Sequence, residues 1–140
     1  MGQKIAIVIG VGAESGIGGA MCLRAAKAGH HVIVSGRTQA KLDRVASTIN
    51  AGGGTASSCV ADVTQESQVE ALFAYADTVE GKLDLVVYNA GNAHRAETLS
   101  MSADYFDIPN RCSVRCAKHI ASSPPRLICL RHASDARFAG

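Results

Sequence analysis

Tryptophan is absent from the 140-residue sequence, and aromatic residues make up only 4% of it, although 47% of the residues are hydrophobic. The core must therefore be built from Ala, Val, Ile and Leu, a composition typical of buried parallel sheets. Long apolar runs are also absent, since none approaches the ~20 residues that a membrane-spanning helix needs. The first apolar run begins at Ile5, too early for a signal peptide to precede it. We therefore expect a single-domain, cytoplasmic protein that spans no membrane.

Proline and cysteine are scarce and unevenly distributed. All three prolines and three of the five cysteines lie in residues 108–140, and the odd number of cysteines indicates reduced thiols. The charge changes at the same point, because residues 1–107 carry 8 Lys and Arg against 11 Asp and Glu, whereas residues 108–140 carry 6 against 1. We therefore divide the chain into a region 1–107 and a basic tail 108–140. The tail has Phe138 as its only aromatic residue, so no nucleic-acid partner is expected.

Region 1–107 alternates short apolar runs with amphipathic segments. Strands are predicted over residues 4–9, 31–35, 55–60 and 83–87, and a first helix over 17–28 with Gly29 as its left-handed C-terminal cap. Two further helices are predicted to begin at the caps Thr38 and Thr64. The inward-facing residues of the helix after Thr38 are Leu42, Val45, Ala46 and Ile49. Those of the helix after Thr64 are Val69, Leu72, Phe73, Ala76 and Val79. This alternation predicts an α/β fold with a parallel sheet and right-handed crossovers.

A glycine-rich loop joins the first strand to the first helix. Its glycines follow the pattern Gly-x-x-x-Gly-x-Gly. Glycines at such a junction allow a sharp turn, close approach of the backbone to a phosphate, and tight packing of helix on strand. The start of the helix adds N–H groups that attract an anion. The loop therefore predicts a site for a dinucleotide pyrophosphate, formed by Gly12, Ser15, Gly16, Ile17 and Gly18.

This glycine spacing resembles the cofactor loop of the short-chain dehydrogenase/reductase family, and two further segments lie where that family has them. Asp62 and Val63 follow the third strand, and Asn89, Ala90 and Gly91 follow the fourth. The resemblance implies a Rossmann-like, doubly wound sheet with strand order 3-2-1-4. It also implies that Asp62 contacts the adenine ring and that the segment from Asn89 to Gly91 lies beside the cofactor. The family's chemistry is hydride transfer between a nicotinamide and a carbonyl or alcohol.

The catalytic pair of that family is missing from the sequence. Family members use a tyrosine and a lysine four residues apart, and no Tyr-x-x-x-Lys occurs here. The three tyrosines, Tyr75, Tyr88 and Tyr105, are followed at that distance by Val, Asn and Pro. Asn110 and Ser134 match the positions of the family's catalytic asparagine and serine poorly. We therefore assign no catalytic residue and expect this chain to be catalytically incomplete.

The residues after the second strand indicate which cofactor is preferred. An acidic residue that binds the ribose 2′-hydroxyl of NAD is expected about 20 positions past the glycine motif. Gly36 occupies that position and Arg37 follows it. A guanidinium binds a 2′-phosphate, which a carboxylate would repel. The pair predicts NADP(H) rather than NAD(H), the alternative being that Arg37 is simply a solvated residue at the start of a helix.

The basic tail permits only weak structural prediction. A fifth strand over residues 127–130 would continue the same domain in altered form. The tail's thiols and imidazoles are soft metal ligands, but their spacing is too loose to predict a zinc site. These residues are Cys112, Cys116, His119, Cys129 and His132. No metal site is assigned.

Two alternatives to an oxidoreductase remain open. A noncatalytic nucleotide-binding or partner-binding module would keep the fold and associate through the exposed edge of the fourth strand or through the tail, as a homo-oligomer or with another chain. Alternatively, residues 108–140 come from a shifted reading frame or another exon, and the chain is an unstable product. The sequence predicts no particular substrate.

Overall fold

The computed structural model describes residues 2–89 and, by backbone alone, residues 126–129. Five strands form one sheet in the order β3-β2-β1-β4-β5, and every neighbouring pair is parallel. None of the described helices is both long and apolar enough to cross a membrane. The elements are β1 Lys4–Ile9, α1 Ile17–Lys27, β2 His30–Gly36, α2 Gln39–Ala51, β3 Thr55–Val60, α3 Glu66–Thr78, β4 Lys82–Tyr88 and β5 Arg126–Cys129. The predicted doubly wound α/β fold and its strand order are confirmed.

The central strand β1 is buried on both faces. Each residue from Ile5 to Ile9 is at most 1% exposed. Because side chains alternate across a strand, Ile5 and its odd-numbered neighbours pack with residues of α3, whereas Ala6 and Val8 pack with residues of α1 and α2. A continuous apolar run is what a parallel strand needs when helices cover both faces of its sheet.

The amphipathic helices bury the residues that their periodicity predicts. The buried residues of α2 are Leu42, Val45, Ala46 and Ile49, and those of α3 are Val69, Leu72, Phe73 and Ala76. Val79 lies just past the end of α3, where it is partly buried against the same core. The 3.6-residue period is therefore sufficient to orient both helices on the sheet.

The helix caps follow the predictions only in part. Gly29 has φ +90°, as expected for a left-handed residue after the end of α1. Thr38 occupies the N-cap position of α2, but its side chain makes no capping bond. The prediction for Thr64 is wrong, because α3 begins at Glu66 with Gln65 as its N-cap. The Thr64 hydroxyl donates to Oδ1 of Asp62 instead, at 2.7 Å.

The edge of β4 is covered by β5. Residues Arg126–Cys129 pair with Leu85–Tyr88 in parallel, one position earlier than the predicted strand 127–130. The expectation of an exposed fourth-strand edge is therefore wrong, since pairing with β5 occupies the hydrogen-bonding groups that such an edge would offer to another chain. Within the described residues, β3 is paired on one side only, with β2.

The amino end of the sheet is closed by side-chain hydrogen bonds. Nε2 of His30 lies 2.8 Å from Oδ2 of Asp84, and its Nδ1 lies 3.2 Å from the carbonyl oxygen of Ala25. The amide of Gln3 donates to the carbonyl oxygen of Gly29 at 2.9 Å. These contacts join α1, β2 and β4 at the end of the sheet opposite the glycine loop. We call Gln3, His30 and Asp84 the amino-end cluster.

Candidate functional site

The predicted cofactor-binding residues that the structure describes lie at the carboxyl end of the sheet. The glycine loop follows β1, Arg37 follows β2, Asp62 follows β3 and Asn89 follows β4. Backbone hydrogen bonds connect the loop after β1 to the end of β2, because the N–H groups of Gly10 and Val11 donate to the carbonyl oxygen of Ser35, at 3.0 and 2.9 Å. Ligands of open α/β sheets bind at this end, because the loops from neighbouring strands diverge there and leave a crevice.

The turn off β1 is made at Gly10. This residue has φ +89°, whereas neither Gly12, Gly16 nor Gly18 has a positive φ. The prediction that the turn lies within the three-glycine motif is therefore wrong. The left-handed backbone directly follows the last residue of β1, where Gly10 donates its N–H to Ser35.

Two glycines allow α1 to pack tightly against the loop. A Cβ added to Gly18 would lie 3.0 Å from Cα of Val11 and 3.2 Å from the carbonyl oxygen of Gly10. This agrees with the predicted role of one glycine in helix packing. A Cβ on Gly19 would collide with the carbonyl of Glu14. This role of Gly19 was not predicted, because the conflict comes from a turn of backbone five residues earlier.

Of the other two motif glycines, Gly12 leaves open space at the start of α1, whereas a Cβ on Gly16 would lie 3.1 Å from the carbonyl oxygen of Ala13. A Cβ on Gly12 would meet no heavy atom within 4 Å, and Gly16 is the N-cap of the helix with extended φ −78° and ψ 175°. No side chain caps this helix and its first turn carries no acidic residue. Unpaired N–H groups and the positive end of the helix dipole therefore face a region that an anion can approach. Ser15 is exposed there and Ile17 is 68% exposed.

Asp62 is held in a turn after β3. Its Oδ1 accepts the N–H of Thr64 at 3.0 Å and the Thr64 hydroxyl at 2.7 Å. These bonds, with the charge of Arg37 as a smaller cause, lower the pKa of Asp62 below its ordinary value of 3.8. Val63 is partly buried against the core beneath α3. The structure therefore brings a carboxylate that stays ionised to the predicted adenine side of the site.

Gly36 and Arg37 have different roles at the end of β2. A Cβ on Gly36 would collide with the carbonyl oxygen of Val11, so the glycine loop passes directly over this residue. The sequence showed only that Gly36 lacks a carboxylate, because this contact joins two segments that are distant along the chain. Arg37 is exposed, and its charge acts on Asp62. The guanidinium is therefore accessible from solvent and close to the other predicted cofactor residues.

Asn89 connects the end of β4 to the glycine loop. Its N–H donates to the carbonyl of Ile9 at 2.8 Å, and its Nδ2 would lie 3.3 Å from a Cβ placed on Gly18. Asn89 thus lies beside the start of α1. Ala90 and Gly91 lie outside the described residues, as do the cysteines and histidines of the tail apart from Cys129. Among residues 2–89, no three metal-ligating side chains come together.

A cleft of about 620 Å³ opens between the glycine loop, α1 and α2. Its lining residues are Ala13, Glu14, Ser15, Leu23, Ala40, Lys41 and Arg44. Oε1 of Glu14 accepts a hydrogen bond from the Thr48 hydroxyl at 3.0 Å. Lys41 and Arg44 were not among the predicted site residues, although their spacing of three residues places both on one side of α2. Two cations and one carboxylate thus share a cleft whose wall includes the predicted phosphate loop.

Known proteins match this chain over most of its length. Residues 4–116 match the sequence profile described as short chain dehydrogenase. The 3beta-hydroxysteroid dehydrogenase of Mediterraneibacter gnavus is 33% identical over 129 residues, which cover 88% of this chain and 46% of that protein. The 7alpha-hydroxysteroid dehydrogenase of Escherichia coli K12 is 39% identical over 88 residues, which cover 63% of this chain and 34% of that protein.

A solved structure gives the same result for the fold. A double mutant of a Serratia marcescens short-chain dehydrogenase/reductase superposes with a TM-score of 0.81 and 26% identity, over 96% of this chain and 58% of that protein. The chain thus spans between a third and three fifths of the length of these relatives. The glycine loop, the strand order and the matched profile lead to one conclusion: the chain belongs to the short-chain dehydrogenase family.

Proposed function

We propose that the carboxyl end of the sheet binds NADP(H), as the cofactor-binding part of a short-chain oxidoreductase. The family's fold implies a dinucleotide of the NAD(P) type. The observation that carries the proposal is the open glycine loop at the uncapped start of α1, with Asp62 and Asn89 on the neighbouring strand ends. When bound, the nicotinamide would supply the hydride of the reaction.

Each residue group would hold one part of the dinucleotide. Gly12, Ser15, Gly16, Ile17 and Gly18 would hold the pyrophosphate through backbone N–H groups and the open space above Gly12. Asp62 and Val63 would lie at the adenine. Asn89, Ala90 and Gly91 would lie beside the cofactor after β4. This assignment follows the order β3-β2-β1-β4 of the strands across the sheet, because each residue group comes after the carboxyl end of one of these strands.

The preference for NADP(H) over NAD(H) is supported by charge. Gly36 carries no carboxylate and has no room for one, and Arg37 is exposed next to it. Lys41 and Arg44 add two cations to the cleft beside the loop, against the single carboxylate of Glu14. A 2′-phosphate placed near these residues gains more from the cations than it loses to one carboxylate that already accepts a hydrogen bond.

Titration of NADPH and NADH against the protein tests this preference. We expect NADPH to bind at least tenfold more tightly than NADH, and Arg37→Gln to remove most of that difference by weakening NADPH alone. Arg24→Gln is the matched control, because Arg24 lies in the last turn of α1, away from the loop. Equal affinities in the wild type would contradict the NADP(H) assignment. Loss of affinity for both dinucleotides in Arg24→Gln would show that the effect is one of net charge.

A noncatalytic dinucleotide-binding protein is the second candidate function. It is favoured by the sequence itself, which contains no Tyr-x-x-x-Lys to transfer the proton. General acid–base catalysis of that kind contributes about 10² to 10⁴ in rate. We expect no appreciable turnover when NADPH is assayed with aldehydes, ketones, sugars and oxosteroids. Turnover near ~10 s⁻¹, an ordinary enzymatic rate, would show that another residue supplies the proton.

A further inference from the structure

The turn that carries Asp62 is fixed by a side chain from α3. The backbone N–H of Asp62 donates to Oε1 of Gln68 at 2.8 Å. Gln68 is the third residue of α3, so this bond connects the first turn of the helix to the beginning of the β3–α3 loop. A second bond closes the loop from within, because Gln65 donates its N–H to the carbonyl of Asp62 at 3.0 Å.

This arrangement departs from the ordinary cap of a helix. A Glu or Gln at the third position usually accepts the N–H of its own N-cap residue, which satisfies one of the unpaired donors there. Here the N-cap is Gln65, and Gln68 reaches three residues further back to Asp62. The bond therefore fixes the residue that carries the site's carboxylate rather than the end of the helix itself.

The two oxygens of Asp62 are used differently as a result. Oδ1 accepts both bonds from Thr64, and none of the described residues donates a hydrogen bond to Oδ2. Arg37 contributes its charge from the neighbouring strand end. A carboxylate whose backbone is fixed by Gln68 and whose first oxygen is fixed by Thr64 has one oxygen available to a donor such as the amino group of adenine.

We propose that Gln68 is a positioning residue for the adenine end of the cofactor site, acting through the Asp62 N–H to hold the Asp62 carboxylate in place. This inference rests on the proposed dinucleotide function. It is specific to the side-chain carbonyl of Gln68, so glutamate at this position keeps the acceptor and alanine removes it.

The binding experiment compares three variants with two ligands. Gln68→Ala is expected to weaken NADPH about three- to tenfold and to leave reduced nicotinamide mononucleotide, which lacks the adenosine half, unchanged. Gln68→Glu is expected to bind NADPH within about twofold of the wild type. Gln65→Ala, whose side chain makes no capping bond, is the matched control and is expected to bind both ligands normally. Equal losses for both ligands in Gln68→Ala, or a loss of similar size in Gln65→Ala, would overturn the proposal.

A second measurement needs no ligand and therefore separates this inference from the proposed function. Titration of the Asp62 carboxyl by NMR is expected to show a pKa below the ordinary value in the wild type and in Gln65→Ala, because Thr64 hydrogen-bonds to the ionised form. In Gln68→Ala the loosened turn should let that pKa rise towards its ordinary value. An unchanged Asp62 titration in Gln68→Ala would overturn the proposal even if NADPH binds. Failure of the wild type to bind NADPH, with the titration shifted as expected, would reject the proposed function and retain Gln68 as the residue that fixes Asp62.

Discussion

The two ends of the sheet are both polar, but they use polar groups in opposite ways. At the amino end, His30 and Asp84 lie 2.8 Å apart and Gln3 donates to Gly29, so side chains pair with partners inside the fold. At the carboxyl end, the polar groups are mainly backbone N–H groups and side chains that face open space. The difference shows that a polar cluster by itself does not indicate a site. A site is indicated where the chain leaves hydrogen-bonding groups accessible and removes side chains that would cover them.

The largest expected effect comes from placing the same substitution at two glycines of the carboxyl end. Gly36→Ala should destabilise the protein by about 3 kcal/mol, because its Cβ would collide with the backbone oxygen of Val11 and neither strand nor loop can easily move. Gly12→Ala should leave the free energy of unfolding nearly unchanged, since no heavy atom lies within 4 Å of the added Cβ. The measurement is chemical denaturation of both variants beside the wild type.

Dinucleotide affinity is expected to respond to the substitution at Gly12, which leaves the stability nearly unchanged. Gly12→Ala keeps the fold but fills space that the proposed pyrophosphate needs, so its NADPH affinity should fall tenfold or more. A Gly36→Ala protein as stable as the wild type would contradict the close approach of the glycine loop to β2. Normal NADPH binding by Gly12→Ala would remove Gly12 from the proposed site.

The next largest effect is a loss of stability expected in the amino-end cluster. His30→Ala removes a 7% exposed side chain together with its contacts to Asp84 and Ala25, and should cost about 2 kcal/mol of stability. The folded fraction should still bind NADPH with wild-type affinity, because the amino-end cluster lies at the opposite end of the sheet. Asp62→Ala is the reciprocal control, expected to weaken NADPH while changing stability by less than about 1 kcal/mol. Weak NADPH binding by folded His30→Ala would show that the two ends are coupled.

Much of the fold was predictable because it depends on local periodicity. The apolar run of β1 and the 3.6-residue pattern of α2 each specify an element and its buried face without knowledge of the rest of the chain. The features that were missed depend on particular contacts that periodicity does not encode, either between distant segments or within one loop. Gly36 must be glycine because Val11 passes over it, and Gln68 matters because the loop before it folds back to Asp62. The pairing of β5 with β4 likewise joins segments that are distant in sequence. The prediction that a motif glycine makes the turn after β1 is wrong, because the turn is made at Gly10, which lies outside the motif.

A smaller effect of opposite sign is expected at Ser35. This residue is fully buried near the carboxyl end of β2, and its hydroxyl has no hydrogen-bond partner among the described residues. A buried hydroxyl without a partner carries a desolvation cost. Ser35→Ala should therefore stabilise the protein by about 1 kcal/mol, measured by chemical denaturation. A loss of stability would mean that the hydroxyl is hydrogen-bonded in solution, for example by an internal water molecule.

The smallest effect concerns pH and the second histidine of β2. His31 is half-buried, and its Nε2 lies 3.0 Å from the neutral hydroxyl of Ser57. Burial lowers the pKa of His31 below its ordinary value of 6.5, because desolvation disfavours the imidazolium. Between the lowered pKa and 6.5 the unfolded chain binds more protons than the folded one, so stability should rise with pH across that window and level off above it.

The variant His31→Gln should remove this rise and leave the other titrating groups unchanged. The difference in free energy of unfolding between wild type and variant, measured from pH 5 to pH 8, is therefore expected to increase up to about pH 6.5 and then stay constant. Partial exposure of the ring limits the change to less than about 1 kcal/mol. A difference that decreases as pH rises would mean that the folded state favours the charged ring. His31 would then have a negatively charged partner in the folded protein.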